Sequence, residues 1–331
     1  MHNLLKYALR IAVICMVVLP SSCLRRHLDL ALTSGASVKV IAHWDSTALR
    51  PEGMTVMFFP QDGGTPYVKL SNSDTAVVFL PKGTYNMLVF NETVTDFENV
   101  RFSSTENCSG MYAYTVPGTG SFYDNVREIP EKLASYYEED IVITEDMAGH
   151  TIYYPRGSDP PDVLLWEDME IHAIPRIITC TIQLKVWIDN TIKLASAGGF
   201  LCHFSSGVRM AGGKPLKEEA SYKVSFEDLV ETGDNKGYLY KEFCGFGFYD
   251  GVSEPLDGYS FDFFAVIADG SGYRERRFID NNITWYYGPY HELFIVIEIR
   301  PDIKIPDVSG DQSWNIGVDE WDDENIYVIL D

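Results

Sequence analysis

In "RIITCTIQLKVWI" (176–188), Ile178, Cys180, Ile182, Leu184, Val186 and Ile188 alternate with Thr179, Thr181, Gln183 and Lys185. Successive side chains of an extended strand point to opposite faces, so this pattern buries one face and wets the other, a demand no helix can meet. "LFIVIEIR" (293–300) repeats it with Leu293, Ile295, Ile297 and Ile299. Shorter runs of the same kind lie at 37–44, 54–59, 75–80, 84–90, 111–116, 259–268 and 325–330. Turn formers stand between them, such as Asp62-Gly63-Gly64, Pro81-Lys82-Gly83 and Asp269-Gly270-Ser271-Gly272. Many short strands punctuated in this way predict an all-β sandwich architecture.

A chain of 331 residues is more than one core usually holds, which predicts two sandwiches. The boundary is expected in "YYPRGSDPPDV" (153–163), which carries three prolines in place of apolar periodicity. Residues 36–155 then form an N-terminal sandwich, 156–163 a linker and 164–331 a C-terminal sandwich, closed by "NIYVIL" as an edge strand. The run 84–90 is apolar on both faces, with Tyr85, Met87 and Val89 on one and Leu88 and Phe90 on the other. That reads as a central strand with one side on the core and the other covered. Before it, Gly83 is expected at positive φ, closing a turn that Pro81 begins. Helical signal is thin. One short surface helix is expected in "IPEKLASYYEED" (129–140), where Pro130 suits a first turn, and "SFEDLV" (225–230) suits a single turn.

The N-terminus has the layout of a secretory signal. Lys6 and Arg10 precede nine apolar residues, Ile11 to Leu19, far fewer than the about 20 that span a bilayer. Pro20-Ser21-Ser22 supplies small residues for cleavage, and Cys23 follows at once. The order is that of a bacterial lipobox, which predicts cleavage after Ser22 and acylation (diacylglyceryl and palmitate) of Cys23. Residues 1–22 are then a lipoprotein signal peptide and 23–35 a lipid-proximal tether. Four cysteines remain, 108, 180, 202 and 244, without C-x-x-C or Cys/His spacing for a metal. Cys180 lies in its strand's apolar alternation and is expected as a buried thiol; a disulfide among the four is left open. The formal charge is −22, and loss of a signal with two bases and no acid makes it more negative. Such a chain repels nucleic acid and anionic surfaces. Hydrophobic residues at 46% rule out a mainly disordered chain.

Three stretches carry a resemblance. "PEGMTVMFFPQDGGTPYVKL" (51–70), "VVFLPKGTYNMLVFN" (77–91) and, near the end, "WNIGVDEWDDENIYVIL" (314–330) resemble the fimbrillin-associated lipoproteins of Bacteroidetes, which include anchor and minor subunits of type V pili. The resemblance implies two tandem transthyretin-like (Greek-key) β-sandwiches and a non-enzymatic, outer-membrane, lipid-anchored role in a fimbrial (pilus) assembly for cell adhesion, with fimbrial subunits as partners. Polymerising members of the family lose an N-terminal strand at an arginine site. Here Arg50 is followed by Pro51, and a cut at Arg25-Arg26 would remove only the lipid, both of which favour an anchor. Leu24-Arg25-Arg26 after the cysteine leaves open whether the protein faces the exterior or the periplasm.

No catalytic constellation, cofactor motif or metal spacing stands out. The histidines are scattered, and "DEWDDEN" (319–325) lacks the spacing and glycine of a calcium loop, so it reads as a solvated turn. Two clusters could recognise a partner. "NNITWYYGPYHE" (281–292) gathers aromatics, of which Trp285 and Tyr287 could stack on sugar rings. "GYRERRF" (272–278) is a basic island in which alternation puts Arg274 and Arg276 on one face, able to grip a partner's carboxylates or to serve as a solvated strand edge. The alternative to a fimbrial subunit is therefore a lipid-anchored glycan-binding protein of a nutrient-uptake system.

Overall fold

The computed structural model describes residues 35–93, 95–118, 125–148, 169–249 and 258–306, and the backbone of two short strands at 321–322 and 325–326. Cys23, Ser22 and residues 327–331 lie outside the described residues. The chain runs β1 (Gly35–Ala42), β2 (Met54–Pro60), β3 (Tyr67–Ser71), β4 (Thr75–Pro81), β5 (Gly83–Asn91), β6 (Val100–Ser103), β7 (Tyr112–Thr115), β8 (Val126–Arg127), β9 (Ala134–Ile143), α1 (Glu145–Ala148), β10 (Met169–Ala173) and β11 (Arg176–Ile177). It continues through β12 (Cys180–Asp189), β13 (Leu194–Ser205), β14 (Gly207–Arg209), β15 (Glu219–Phe226), β16 (Leu229–Gly233), β17 (Lys236–Gly245), β18 (Ser260–Ile267), β19 (Gly272–Phe278), β20 (Ile283–Tyr287), β21 (Leu293–Lys304), β22 (Trp321–Asp322) and β23 (Asn325–Ile326).

Two sandwiches result. In the first, the sheet β10-β1-β4 faces the sheet β11-β9-β5-β2-β3. Consecutive strands cross between the sheets, since β1 and β4 pair in one while β2 pairs with β3 and β5 in the other. Val38, Val40, Val56, Phe58, Met87 and Val89 fill the space between them. In the second, the sheet β16-β17-β12-β21-β20 faces β19-β18-β13-β15-β8 over Leu184, Val186, Leu201, Tyr222, Phe263 and Ile297. Of the alternation at 176–188, residues 180–188 lie in β12, parallel to β21, which holds 293–300, whereas Arg176 and Ile177 break off as β11 and Ile178 packs against a different cluster. Cys180 is buried there as expected, and Cys108, Cys180, Cys202 and Cys244 are all free thiols.

The halves are interlocked. A small sheet β14-β7-β6 joins β14 to strands from earlier in the chain, and β8 pairs in parallel with β15 of the second sandwich. Residues 169–177, grouped by the sequence division with the C-terminal half, pair instead with the first sandwich: β10 runs parallel to β1 and β11 antiparallel to β9. At the end of β1, His43 Nε2 and His172 Nδ1 are 2.8 Å apart, with ring centroids at 5.1 Å. That centroid distance is the contact plus the two ring radii, so the nitrogens meet end-on and one donates a proton to the other.

The outer face of the β5 sheet carries Met57, Phe59, Leu88 and Phe90, and it is covered rather than wet. Phe97, Val100, Met111, Ala113 and Leu133 pack on it together with Val208, Met210 and Phe246 from the C-terminal half. A central strand apolar on both sides, as 84–90 reads, is what the chain builds.

Three local expectations fail. The segment 129–140 forms no helix; it leads into β9, whose Ala134, Ile141 and Ile143 enter the core and which pairs with β5. Glu131 Oε1 accepts the backbone amides of Glu98 and Asn99 instead of starting a helix. Among the described residues the one α-helical turn follows β9 at α1, tied by Lys82 Nζ to Glu145 Oε2 at 2.7 Å. The segment 225–230 is the reversal from β15 to β16. Gly83 is absent from the residues at positive φ; it simply opens β5, and the turn is held by the Tyr85 hydroxyl donating to the Pro81 carbonyl at 2.9 Å.

A buried ion pair adds a polar tie between the halves. Glu292, 4% exposed, accepts from Lys132 Nζ at 2.7 Å and from the Thr181 hydroxyl at 2.6 Å. Lys132 precedes β9, whereas Glu292 precedes β21. Two outcomes are expected. Leu88→Ala, at a fully buried position of the shared cluster, should cost about 2–5 kcal/mol in denaturant titrations, through lost contacts and the cavity left behind. Lys132→Ala should cost about 3 kcal/mol by leaving a buried carboxylate without its cation, and Glu292→Gln in that background should recover part of the loss. A Lys132→Ala protein of unchanged stability would show that the pair does not hold the halves together.

Candidate functional site

Along β20, alternation sends Ile283, Trp285 and Tyr287 to one side and Thr284 and Tyr286 to the other. Ile283 joins the second core. Trp285 is half-buried and meets Phe248 edge-on, with centroids 6.1 Å apart and planes at 81°. Tyr287 is 64% exposed. Tyr286 turns to the opposite face and lies flat on Phe294 at 5.2 Å. The aromatic cluster of 281–292 is therefore split, and Trp285 and Tyr287 remain together.

They do not form an open platform. They line a cleft of about 890 Å³ between the two sandwiches. Its other wall is built by Ser135, Tyr136 and Tyr137 of β9 and by Ile174, Arg176 and Ile177 on and beside β11. Gly212, Gly213, Pro215 and residues 246–248 add to the lining, with Cys180 and His291. Gly213 sits at φ 66°, and a Cβ there would stand 2.9 Å from Ile178 Cγ2, so both the backbone and the packing require glycine. β11 runs beside the turn at 289–291, which brings Arg176 toward His291.

The polar groups of the cleft fall into two sets. The Tyr136 and Tyr137 hydroxyls donate to Glu138 and Glu139. Burial first, and then the carboxylate partner, pushes the Tyr136 hydroxyl up to about 12 and the Tyr137 hydroxyl further, so both stay protonated. Burial likewise raises the Cys180 thiol to about 12, which leaves it unreactive. By contrast, Arg176, His291, the Tyr287 hydroxyl and the Trp285 indole N–H have no hydrogen bond or ion pair among the described residues. Arg176 sits in the unremarkable run "IPRII", and nothing local marks it. Tyr136 and Tyr137 fell inside the expected helix, so their side of the cleft was not legible in the sequence.

Arg274 and Arg276 share a face of β19, as alternation requires. The carboxylate they reach is their own chain's Asp262, fully buried on β18: Arg274 Nη2 donates to Oδ2 at 2.9 Å, and Arg276 donates to Oδ1 at 2.6 Å and Oδ2 at 3.1 Å. The Arg274 guanidinium also lies over the Phe264 ring at 5.2 Å. They stand on the edge strand of the sheet that faces the one holding β20 and take no part in lining the cleft.

Comparison with known proteins agrees with this architecture. No curated protein matches the sequence. Among solved structures, a candidate adhesin from Bacteroides ovatus matches over 86% of this chain and 97% of its own, at 18% identity and a TM-score of 0.56, which shows a shared fold. The fimbrial anchor protein Mfa2 from Porphyromonas gingivalis aligns over 79% of this chain and 95% of its own, at 10% identity and a TM-score of 0.39. A candidate polysaccharide-binding protein from Bacteroides thetaiotaomicron aligns over 72% and 79%, at 7% identity and a TM-score of 0.42. A family described as a domain of unknown function matches residues 22–227, which reach into the second sandwich. The chain belongs to that family, DUF5119.

Proposed function

We propose that this protein is a non-enzymatic, lipid-anchored component of the cell envelope that serves as an anchor or accessory subunit of a fimbrial assembly in cell adhesion. The observation that carries this reading is the two-sandwich architecture, shared with a candidate Bacteroides adhesin along nearly the whole of both chains. Among the described residues no helix is long and apolar enough to cross a membrane; the reading assigns attachment to acyl chains on Cys23 from the lipobox order of residues 11–23. An uncut subunit also suits the sheet order. A cut at Arg50 would free β1, which is the middle strand between β10 and β4. Its loss would strip both neighbours of their hydrogen bonds as well as opening a groove.

A second reading, a glycan-binding envelope protein, is favoured by Trp285 and Tyr287 standing on one side of β20 with unused donors in a cleft. The two are compatible in an adhesion protein whose ligand is a sugar.

The experiment is deletion of the gene in a fimbriated host, followed by electron microscopy and fractionation. Filaments should be shed into the medium or altered in number. Wild-type protein should restore them, whereas Cys23→Ala, folded but released from membranes, should not. Each buried CH₂ of the acyl chains contributes about 0.8 kcal/mol of attachment. Unchanged filaments in the deletion strain would remove the fimbrial role, and a membrane-bound Cys23→Ala protein would remove the lipid anchor.

A further inference from the structure

Arg176 is an exception in this molecule. Among the described residues the other arginines either donate to main-chain carbonyls, as Arg50, Arg101 and Arg209 do, or pair with carboxylates. Arg176 does neither, in a chain whose acids outnumber its bases 48 to 26. It is exposed on β11 and lines the cleft opposite β20. Among the described residues no aspartate or glutamate lines that cleft, and its charged or chargeable nitrogen groups are Arg176 and His291. The nearby acids are occupied: Glu292 by Lys132 and Thr181, and Glu138 and Glu139 by the hydroxyls of Tyr136 and Tyr137. A strongly acidic protein thus has a recess with no acid among its described lining residues and an uncommitted guanidinium within it.

Besides His291, the other uncommitted groups are the Tyr287 hydroxyl and the Trp285 indole N–H, each on an aromatic ring that lines the same recess. Ring faces take up the C–H side of a pyranose, and their polar tips bind its hydroxyls. A guanidinium is a planar fork matched to a carboxylate. The volume of about 890 Å³ is within the range of sites for small ligands and leaves room for a short oligosaccharide with water.

We propose that this cleft binds an acidic saccharide, with Tyr287 and Trp285 against the sugar rings and Arg176 on the carboxylate of a uronic-acid-type residue. The inference rests on the glycan reading of the cleft and adds the charge class of the ligand. It concerns the ligand only and does not depend on the fimbrial role.

The test is calorimetric titration of the detergent-solubilised mature protein with trigalacturonic acid and with its fully methyl-esterified form, which keeps the rings and removes the charge. The acid should bind at least tenfold more tightly than the ester, with an advantage that shrinks as salt is raised. Arg176→Gln, at an exposed position, should erase that advantage and leave ester binding in place. Tyr287→Ala should weaken both ligands, and circular dichroism should show both variants folded. Equal binding of acid and ester would overturn the charge assignment while leaving a glycan cleft. Failure of both to bind would overturn the charge assignment and the glycan reading together. A pentaglutamate peptide binding more tightly than trigalacturonic acid would overturn the proposal in favour of an acidic protein segment.

Discussion

Strand β5 has no wet side, and much of the architecture follows from covering it. Met87 and Val89 fill the first sandwich, while Leu88 and Phe90 point the other way. Leaving large apolar side chains in water costs about 1.5–3 kcal/mol each, so the outer face needs a second layer. That layer comes from both ends of the chain. β6, β7 and β14 form a three-stranded cover, and Val208, Met210 and Phe246 reach in from the C-terminal half. The two sandwiches are therefore joined by a core of their own and behave as more than domains on a string.

Polar groups at this seam make the joint specific. Asn91, at the end of β5, donates to the Lys132 carbonyl at 3.1 Å and accepts the Ala134 amide at 2.8 Å, which aims the chain into β9. Ser135 of β9 donates to the Met210 carbonyl at 2.8 Å, across the halves. Lys132 then reaches Glu292. Apolar contacts supply the attraction, but many alternative packings could satisfy them. Buried polar groups carry a penalty unless each finds its partner, so they disfavour the alternatives.

The cleft is a consequence of the same joint. Its walls are β9 and β11 on one side and β20 with the turn at 289–291 on the other, elements that no single sandwich contains. Arg176 stands in this recess with no carboxylate among the described residues, whereas Arg274 and Arg276, on the open β19 strand beside β18, meet Asp262 one strand away.

The sequence by itself determined the strands whose periodicity is local. β2, β4, β5, β12, β18 and β21 are legible because the faces of a strand depend only on alternate neighbours along the chain. It also determined that 84–90 would be covered on both sides and that Trp285 and Tyr287 would share a face. Tertiary structure decided the rest. The segment 129–140 has acids, a proline and tyrosines that suit a helix start, yet β9 forms because β5 offers an unpaired edge and a place for Ile141 and Ile143. β10 and β11 cross back past the expected boundary because β1 and β9 have edges to fill. Arg274 and Arg276 pair within their own sheet with Asp262, 12 and 14 positions away, whereas Arg176 faces a cleft wall on β20, from the other end of the chain. Periodicity records the direction in which each side chain points, but not which distant surface it meets.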